Sequence, residues 1–189
     1  MTIATLREQF AAIREDAAGM ICDHSKEQLT WRPAPEAWSM AEQIAHLNSL
    51  NGQDLPVLFQ AIAQAKRDGK KAAGGQSDFT WPWLDRMFIR MMEPPYRMRL
   101  KTPKQYTPKA SDTDPHEAYV EFERIHNDLD FLMQDAAGLD LLGVRIVSPA
   151  SKWVKMSLGG RLALLAAHDR RHLWAMHKIA RLPSFPKKD

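Results

Sequence analysis

Four long segments of the chain carry apolar residues at helical spacing, and this pattern limits most strongly how the chain can fold. The segments are residues 2–23, 39–67, 114–138 and 157–181. Ser39, Asp114 and Ser157 are well-placed helix caps, because each comes directly before the first periodic turn of its segment. With no convincing strand between them, the four segments predict an all-α fold, a four-helix bundle.

The connection between the second and third segments, residues 66–113, is long and irregular. Residues 68–78 predict a flexible loop, and residues 93–113, rich in proline and basic residues, predict a segment that packs on the body or shapes a pocket entrance. Residues 81–92 predict a short helix between them. Its expected inward-facing side chains are those of Trp83, Leu84, Met87, Phe88 and Met91. Residues 139–156 show little pattern and predict an irregular connector.

Length and composition indicate one globular domain in a reducing compartment. With 189 residues, the chain is expected to form a single domain over residues 1–182, followed by a loose tail at residues 183–189. The one cysteine, Cys22, excludes a disulfide within the chain. Residues 1–10 lack a long apolar run, so we expect neither a signal peptide nor a membrane span. We therefore expect a cytoplasmic protein. The net charge of +3 is spread along the chain, which argues against nucleic-acid binding.

Two histidines on the last segment, His168 and His172, are one helical turn apart in a stretch rich in leucine and alanine. Residues at i and i+4 point the same way from a helix, and this pair falls on the stripe that should face the core. A buried imidazole needs a partner, because an unsatisfied polar group costs about 1–3 kcal/mol. The pair therefore predicts either a divalent-metal site or two core histidines that each have their own hydrogen-bond partner.

A third histidine, His46, strengthens the metal hypothesis. It follows the capping Ser39 by two helical turns, on a helix that is apolar around it. In an antiparallel bundle, a side chain on the second long helix can face two side chains on the fourth. Three imidazoles on one side of a metal would leave positions open for water or substrate, as catalytic sites require. The alternative is that His46 fills a gap in the packing near Leu50.

Two stretches of the chain resemble the DinB/YfiT-like superfamily: LTWRPAPEAWSMAEQIAHL at residues 29–47 and AAHDRRHLWAMHKI at residues 166–179. The residues that carry the resemblance are Trp31, Pro33, Trp38, Ser39, Glu42, His46, His168, Arg171 and His172. There are two departures from that pattern. Ala175 stands where many relatives have glutamine, and residues 66–113 are longer than the same region of compact members.

The resemblance implies a four-helix bundle, up-down-down-up in chain direction, with a divalent metal (Zn, Ni, Fe or Mn) held by His46, His168 and His172. Members of the superfamily include S-transferases that use low-molecular-weight thiols such as bacillithiol or mycothiol, a thiol-dependent isomerase and metal-dependent hydrolases. The resemblance thus implies a homodimeric thiol-dependent S-transferase or related detoxifying enzyme, with a thiol as co-substrate and a small-molecule substrate. Two alternatives stay open: a metal-dependent hydrolase with the same ligands, and a non-catalytic, stress-related bundle that binds a ligand or partner.

The remaining polar candidates have weaker signals. Arg171 is expected close to the metal ligands, either supporting them or contacting an anionic group of the substrate, and a salt bridge is the alternative. The histidines His24, His116 and His177 are expected outside the site, and His126 is expected to point outward. The six tryptophans are interpreted as core or structural residues, not as a platform for stacking nucleic-acid bases.

Overall fold

The computed structural model describes residues 1–72, 81–95, 102–108, 113–149 and 151–187, which are mostly helical. The helices are α1 (Ile3–Cys22), α2 (Lys26–Thr30), α3 (Met40–Arg67), α4 (Trp83–Met92), α5 (Pro115–Asp135) and α6 (Leu158–Ala180). A 3₁₀ turn spans Lys104–Tyr106, and two strands, β1 (Arg145–Ser148) and β2 (Ser151–Ser157), precede α6. The four long segments are confirmed as the helices α1, α3, α5 and α6.

The four long helices enclose the core. Helix α1 packs against α5 and α6, and α3 packs against the same two helices, so each long helix contacts two of the others. Their apolar stripes meet in the middle, as periodic burial requires. The largest fully buried side chains are those of Phe10, Phe122, Leu6, Met40, Ile44, Leu47, Leu58, Ile62, Ile125, Leu129, Met133 and Met156.

Side-chain caps begin three of these helices at the predicted residues. Ser39 and Glu42 form a reciprocal capping box at the start of α3. Asp114 accepts hydrogen bonds from two main-chain N–H groups at the start of α5, and Ser157 accepts one at the start of α6. A proline inside a helix is expected to kink or split it, but α3 runs unbroken through Pro56.

The expectation of no strands is wrong for residues 139–156, where β1 and β2 form an antiparallel hairpin. Ile146 pairs with Met156, and both side chains are buried, whereas Val147 is exposed. The burial alternates over only four residues of β1, which is too short a run to separate from an irregular connector by periodicity. The hairpin matters for the site because β2 ends at Ser157, the cap of α6.

Helix α4 forms as predicted within the connection at residues 66–113, but its expected inward face is wrong at three of five positions. Trp83, Leu84 and Met91 are exposed. The fully buried residue of α4 is Asp85, whose carboxylate accepts hydrogen bonds from the N–H and hydroxyl of Ser157. This polar contact with the start of α6 orients the helix. Much of the predicted loop at 68–78 and parts of 93–113 lie outside the described residues.

Two residues of the predicted tail, Phe185 and Pro186, contact the α1–α2 region. The ring of Phe185 lies edge-on to the rings of Trp31 and His24, and the carbonyl of Pro186 accepts a hydrogen bond from Gln28. These contacts hold the described part of the tail against the α1–α2 region.

Among the described helices, none is long and apolar enough to span a bilayer.

Candidate metal centre

Three histidines from two helices converge at one end of the α3–α6 contact. His46 projects from α3, and His168 and His172 project from successive turns of α6. The Nε2 atom of His168 lies 3.4 Å from that of His46 and 3.2 Å from that of His172. The structure therefore brings together the three side chains that the sequence pattern singled out.

The spacing of these nitrogens suits a small metal ion. Bonds of about 2.0–2.1 Å in a tetrahedral site place ligand nitrogens about 3.3–3.4 Å apart. The two measured Nε2–Nε2 distances, 3.4 and 3.2 Å, are close to that separation. All three candidate ligand atoms lie within 4.8 Å of one another.

Hydrogen bonds on the far side of two rings fix which nitrogen faces the centre. The Nδ1 of His46 donates to the main-chain carbonyl of Tyr106 at 2.7 Å, and the Nδ1 of His172 donates to the side-chain oxygen of Gln43. A carbonyl oxygen only accepts, so both rings carry their proton on Nδ1 and direct the Nε2 lone pair inward. This is the arrangement in which metal-bound histidines are usually held.

The third ring leaves a buried atom unsatisfied. The Nδ1 of His168 is fully buried and has no hydrogen-bond partner in the described part of the chain. Its Nε2 faces two Nε2 lone pairs and can donate a proton to only one of them. Without a cation the cluster therefore leaves either a lone-pair clash or an unmet donor, each of which is costly when buried. The donor set fits a divalent ion that prefers imidazole nitrogen.

Burial keeps the three imidazoles neutral. Desolvation lowers the pKa of His46, and it lowers the pKa of His172 well below its usual value. The pKa of His168 falls to about 3 through desolvation, reinforced by the positive charges of Arg171 and Arg161. Neutral imidazole is the form that binds metals, so these rings do not have to lose a proton first.

The centre opens into a cavity of about 790 Å³ between α3, α6 and the loop at residues 102–108. The indole of Trp38 covers one side of the centre, with its ring 4.9 Å from the ring of His46 and stacked on that of His172. Most of the remaining wall is apolar, including Leu50 and Leu164. A cavity of this size and lining suits a small organic molecule.

Arg171 lies beside the centre, as expected, and its position is set by α4. The side chain is buried, lines the cavity, and donates from Nη1 to the main-chain carbonyl of Met91 at 3.2 Å. Its positive charge contributes to the low pKa of His168 and His172. The adjacent Arg170 points elsewhere, because it pairs with Glu93 and Gln9 and does not line the cavity.

The prediction that His126 points outward is wrong, because the side chain is fully buried beneath the centre. Its Nδ1 bonds to the carbonyl of Phe122 and its Nε2 lies 3.0 Å from a carboxylate oxygen of Asp169. The other oxygen of Asp169 accepts from Asn51 at 3.0 Å. His126 lies on the same stripe of α5 as Phe122 and Leu129, and the carboxylate from α6 gives it the partner it needs there.

The other histidines lie outside the centre, as predicted. His24 bonds to the carbonyl of Met20 near the end of α1, His116 is exposed on α5, and His177 pairs with Asp16. None of them belongs to the one group of potential ligands found in the described residues.

Two contacts at the centre were not anticipated from the sequence. Gln43 has a signal that was available, because it lies one turn before His46 on α3 and so shares its face. The carbonyl of Tyr106 gives no signal in the sequence, because every residue has a main-chain carbonyl. Its position depends on how residues 102–108 fold.

Comparison with known proteins agrees with this geometry. The family model of the DinB superfamily matches residues 9–176, which include His46, His168 and His172. No curated protein and no solved structure matches the chain. The match covers most of the chain and contains the helices that carry the histidines. The chain therefore belongs to the DinB superfamily.

Proposed function

We propose that this protein is a divalent-metal-dependent enzyme whose metal ligands are His46, His168 and His172. The observation that carries the proposal is the convergence of three Nε2 atoms at 3.2–3.4 Å, with the opposite nitrogens of two rings fixed by hydrogen bonds. Zn, Ni, Fe and Mn are the candidate ions. The ring of four long helices supports the four-helix bundle, up-down-down-up, that the sequence resemblance implies.

The reaction we favour is the transfer of a low-molecular-weight thiol to a small electrophilic substrate. A divalent ion in this position would favour the ionised, nucleophilic form of a thiol. The chain would contribute the neutral imidazoles, their orientation by Gln43 and Tyr106, and the shelter of Trp38 against bulk water. Arg171 would support the centre or contact an anionic group of the substrate.

The cavity lining favours a thiol over water as the nucleophile. Hydrolysis calls for a general base close to the attacking water, whereas a thiol loses its proton far more readily. Among the described lining residues, Glu36 is the one carboxylate, and it is exposed at the cavity edge. A metal-dependent hydrolase with the same three ligands is the second candidate, because bound water would also become more acidic there.

Metal analysis of untagged protein tests the proposal. We expect about one divalent ion per chain after incubation with Zn²⁺ or Ni²⁺ and gel filtration, and a fall to near zero in His168→Ala. His116→Ala, which removes an exposed histidine, is the matched control and should keep full metal content. A wild-type protein that binds no metal would leave the non-catalytic, ligand- or partner-binding alternative.

A substrate panel separates the two enzymatic candidates. The metal-loaded protein is incubated with a chlorodinitrobenzene electrophile and thiols including bacillithiol and mycothiol, and in parallel with ester and amide substrates. Thiol-dependent consumption of the electrophile that disappears in His168→Ala supports the transferase. Ester or amide cleavage with no thiol dependence would support the hydrolase instead.

We further propose a cytoplasmic homodimer, in keeping with the resemblance and with the single cysteine, Cys22, which is free and exposed. Large apolar side chains such as Trp83 and Trp153 are exposed on the monomer and offer surface for such pairing. Sedimentation equilibrium at micromolar concentration should give twice the monomer mass of 21.6 kDa. A monomer at that concentration would refute the dimer without bearing on the metal site.

A further inference from the structure

A buried ion pair lies in the wall of the same cavity. Arg161, in the first turn of α6, donates from Nε and Nη2 to the two carboxylate oxygens of Asp54 on α3, at 2.7 and 2.6 Å. The Arg161 side chain is 7% exposed and that of Asp54 is fully buried. This bidentate contact holds the guanidinium plane in one orientation.

The third guanidinium nitrogen of Arg161 has no hydrogen-bond partner among the described residues. Nη1 makes no hydrogen bond within the described chain, and it is not among the fully sealed polar atoms that lack one. Because Arg161 lines the cavity, the small exposed part of its side chain faces that space. A rigidly held N–H donor pair thus borders a mostly apolar cavity.

Arg161 shares a helix stripe with the metal ligands. It precedes His168 by seven residues on α6, which is two turns and about 10 Å along the axis. Two arginines, Arg161 and Arg171, line the cavity. The acidic lining residue in the described chain is Glu36, which is exposed. This side of the cavity therefore offers N–H donors and suits a ligand with strong hydrogen-bond acceptors, such as a carboxylate.

We propose that Arg161, anchored by Asp54, is a binding group for a carboxylate on the thiol co-substrate or on the substrate. The carboxylate lies at Nη1, and the reacting end of the same molecule extends along α6 towards the three histidines. A carboxylate fits better than a phosphate, because one guanidinium nitrogen supplies two N–H donors and much of the charge of Arg161 is engaged by Asp54. This proposal extends the proposed function and rests on it only for the reaction at the three histidines. Binding of the carboxylate by Arg161 does not depend on that reaction.

Calorimetry with a matched ligand pair tests the subsite. The probes are 6-mercaptohexanoate and 6-mercaptohexanamide, which differ in charge but little in shape, titrated into metal-free and Co²⁺-loaded protein. We expect the carboxylate to bind at least about tenfold more tightly than the amide in both forms, since hydrogen bonds to charged groups are the stronger class. Co²⁺ also reports thiolate ligation through its visible spectrum.

Three variants test whether the preference for the carboxylate probe over the amide probe comes from Arg161. Arg161→Lys keeps a positive charge opposite Asp54 but removes the bidentate guanidinium contact. The ratio of the affinity for the carboxylate probe to that for the amide probe should therefore fall to about two or less. Arg161→Met combined with Asp54→Leu replaces the buried pair with apolar side chains, a change that folds tolerate well, and should also remove the preference. Arg170→Lys alters an arginine outside the cavity and should leave the ratio unchanged.

The outcomes separate this proposal from the proposed function. Equal binding of the two probes, no binding of the carboxylate to either form, or a preference that survives both Arg161 variants would overturn the subsite. Failure to bind Co²⁺, or absence of a thiolate signal, would count against the metal-dependent transfer reaction. In that case the carboxylate preference of the metal-free protein still decides whether Arg161 binds anions.

Discussion

Gln43 and the carbonyl of Tyr106 support the candidate metal centre in different ways, and this difference can be tested. Gln43 accepts the Nδ1 proton of His172 through its side chain, whereas Tyr106 accepts that of His46 through its backbone. Groups that orient metal-bound histidines typically affect metal affinity by about 10–100-fold. Only the first of the two can be removed by a side-chain substitution.

Gln43→Leu should therefore weaken Zn²⁺ binding about 10–100-fold, measured by competition with a chromophoric chelator. Tyr106→Phe retains the carbonyl and should change the affinity less than about twofold. Gln134→Leu removes an exposed glutamine that bonds to Asp130 and serves as the matched control. Unchanged affinity in Gln43→Leu would show that the His172 ring is held by its packing on Trp38 rather than by this hydrogen bond.

The lowered pKa of the three histidines makes the metal-free fold sensitive to acid. In the fold, His168 has a pKa of about 3 against a usual value of 6.5. Between these values the unfolded chain binds a proton that the folded chain does not, so stability falls as the pH decreases. The titration of His168 therefore does not affect the stability of the metal-free fold above about pH 6.5. Below that pH, the free energy of unfolding decreases progressively as the pH falls towards 3.

For His168 alone, the loss between pH 7 and pH 5 is about 2 kcal/mol. Urea unfolding of metal-free protein at the two pH values measures this difference. His168→Leu, which has no titrating group at that position, should lose less stability over the same interval. An equal loss in both proteins would place the acid sensitivity in other groups.

At the scale of elements, the junction between α4 and α6 depends on the absence of a side chain at Gly160. A side chain at Gly160 would place its Cβ 2.2 Å from the carboxylate of Asp85 and 2.8 Å from the hydroxyl of Ser157. Both atoms belong to the cap of α6, so they cannot move away without breaking their hydrogen bonds. The helix that carries His168 and His172 begins at this crowded point.

Gly160→Ala should therefore destabilise the protein by about 1–3 kcal/mol in urea unfolding. Gly19→Ala is the matched control, because Gly19 lies in helix α1 and a Cβ added there would have no neighbouring atom within 4 Å. That substitution should stabilise the protein by about 0.5–1 kcal/mol through helix propensity. If both changes have the same sign, the close contact with Asp85 does not constrain the start of α6.

The same junction shows where prediction from sequence stops. The long helices and their caps could be predicted, because apolar period and capping residues are local signals. The orientation of α4 could not, since it depends on the buried Asp85 meeting a cap 72 residues later in the chain. The β1–β2 hairpin was missed because its strands are short. For α4 the missing information was a contact between distant parts of the chain, and for the hairpin it was a pattern too short to be distinctive.

At the scale of the whole molecule, polar groups join three of the long helices beneath the centre. Asp169 of α6 contacts His126 of α5 and Asn51 of α3, and all three are fully buried. The stripe predicted from sequence placed His168 correctly towards α3, but nothing in it indicated that the next residue, Asp169, contacts both Asn51 of α3 and His126 of α5. The candidate ligands could be predicted because their spacing is a family motif, whereas this network depends on three-dimensional packing.

A metal held by His46, His168 and His172 would join α3 to α6 at the cavity, above that network. A ligand that binds only the folded state stabilises it by about 2.7 kcal/mol at a free concentration of about 100 times its Kd. For a chain of this size, 1 kcal/mol corresponds to about 2–4 °C. Saturating Zn²⁺ should therefore raise the Tm by about 5–10 °C, measured by calorimetry, and a chelator should reverse the rise.

His46→Ala tests whether the stabilisation comes from linking the two helices. It leaves the His168–His172 pair on α6, which can bind metal weakly but no longer connects α6 to α3. We expect the Zn²⁺-dependent rise in Tm to fall below about 2 °C, while the variant keeps its helical circular dichroism. A rise equal to that of the wild type would mean that the ion binds to α6 alone, and the three-histidine centre would have to be abandoned.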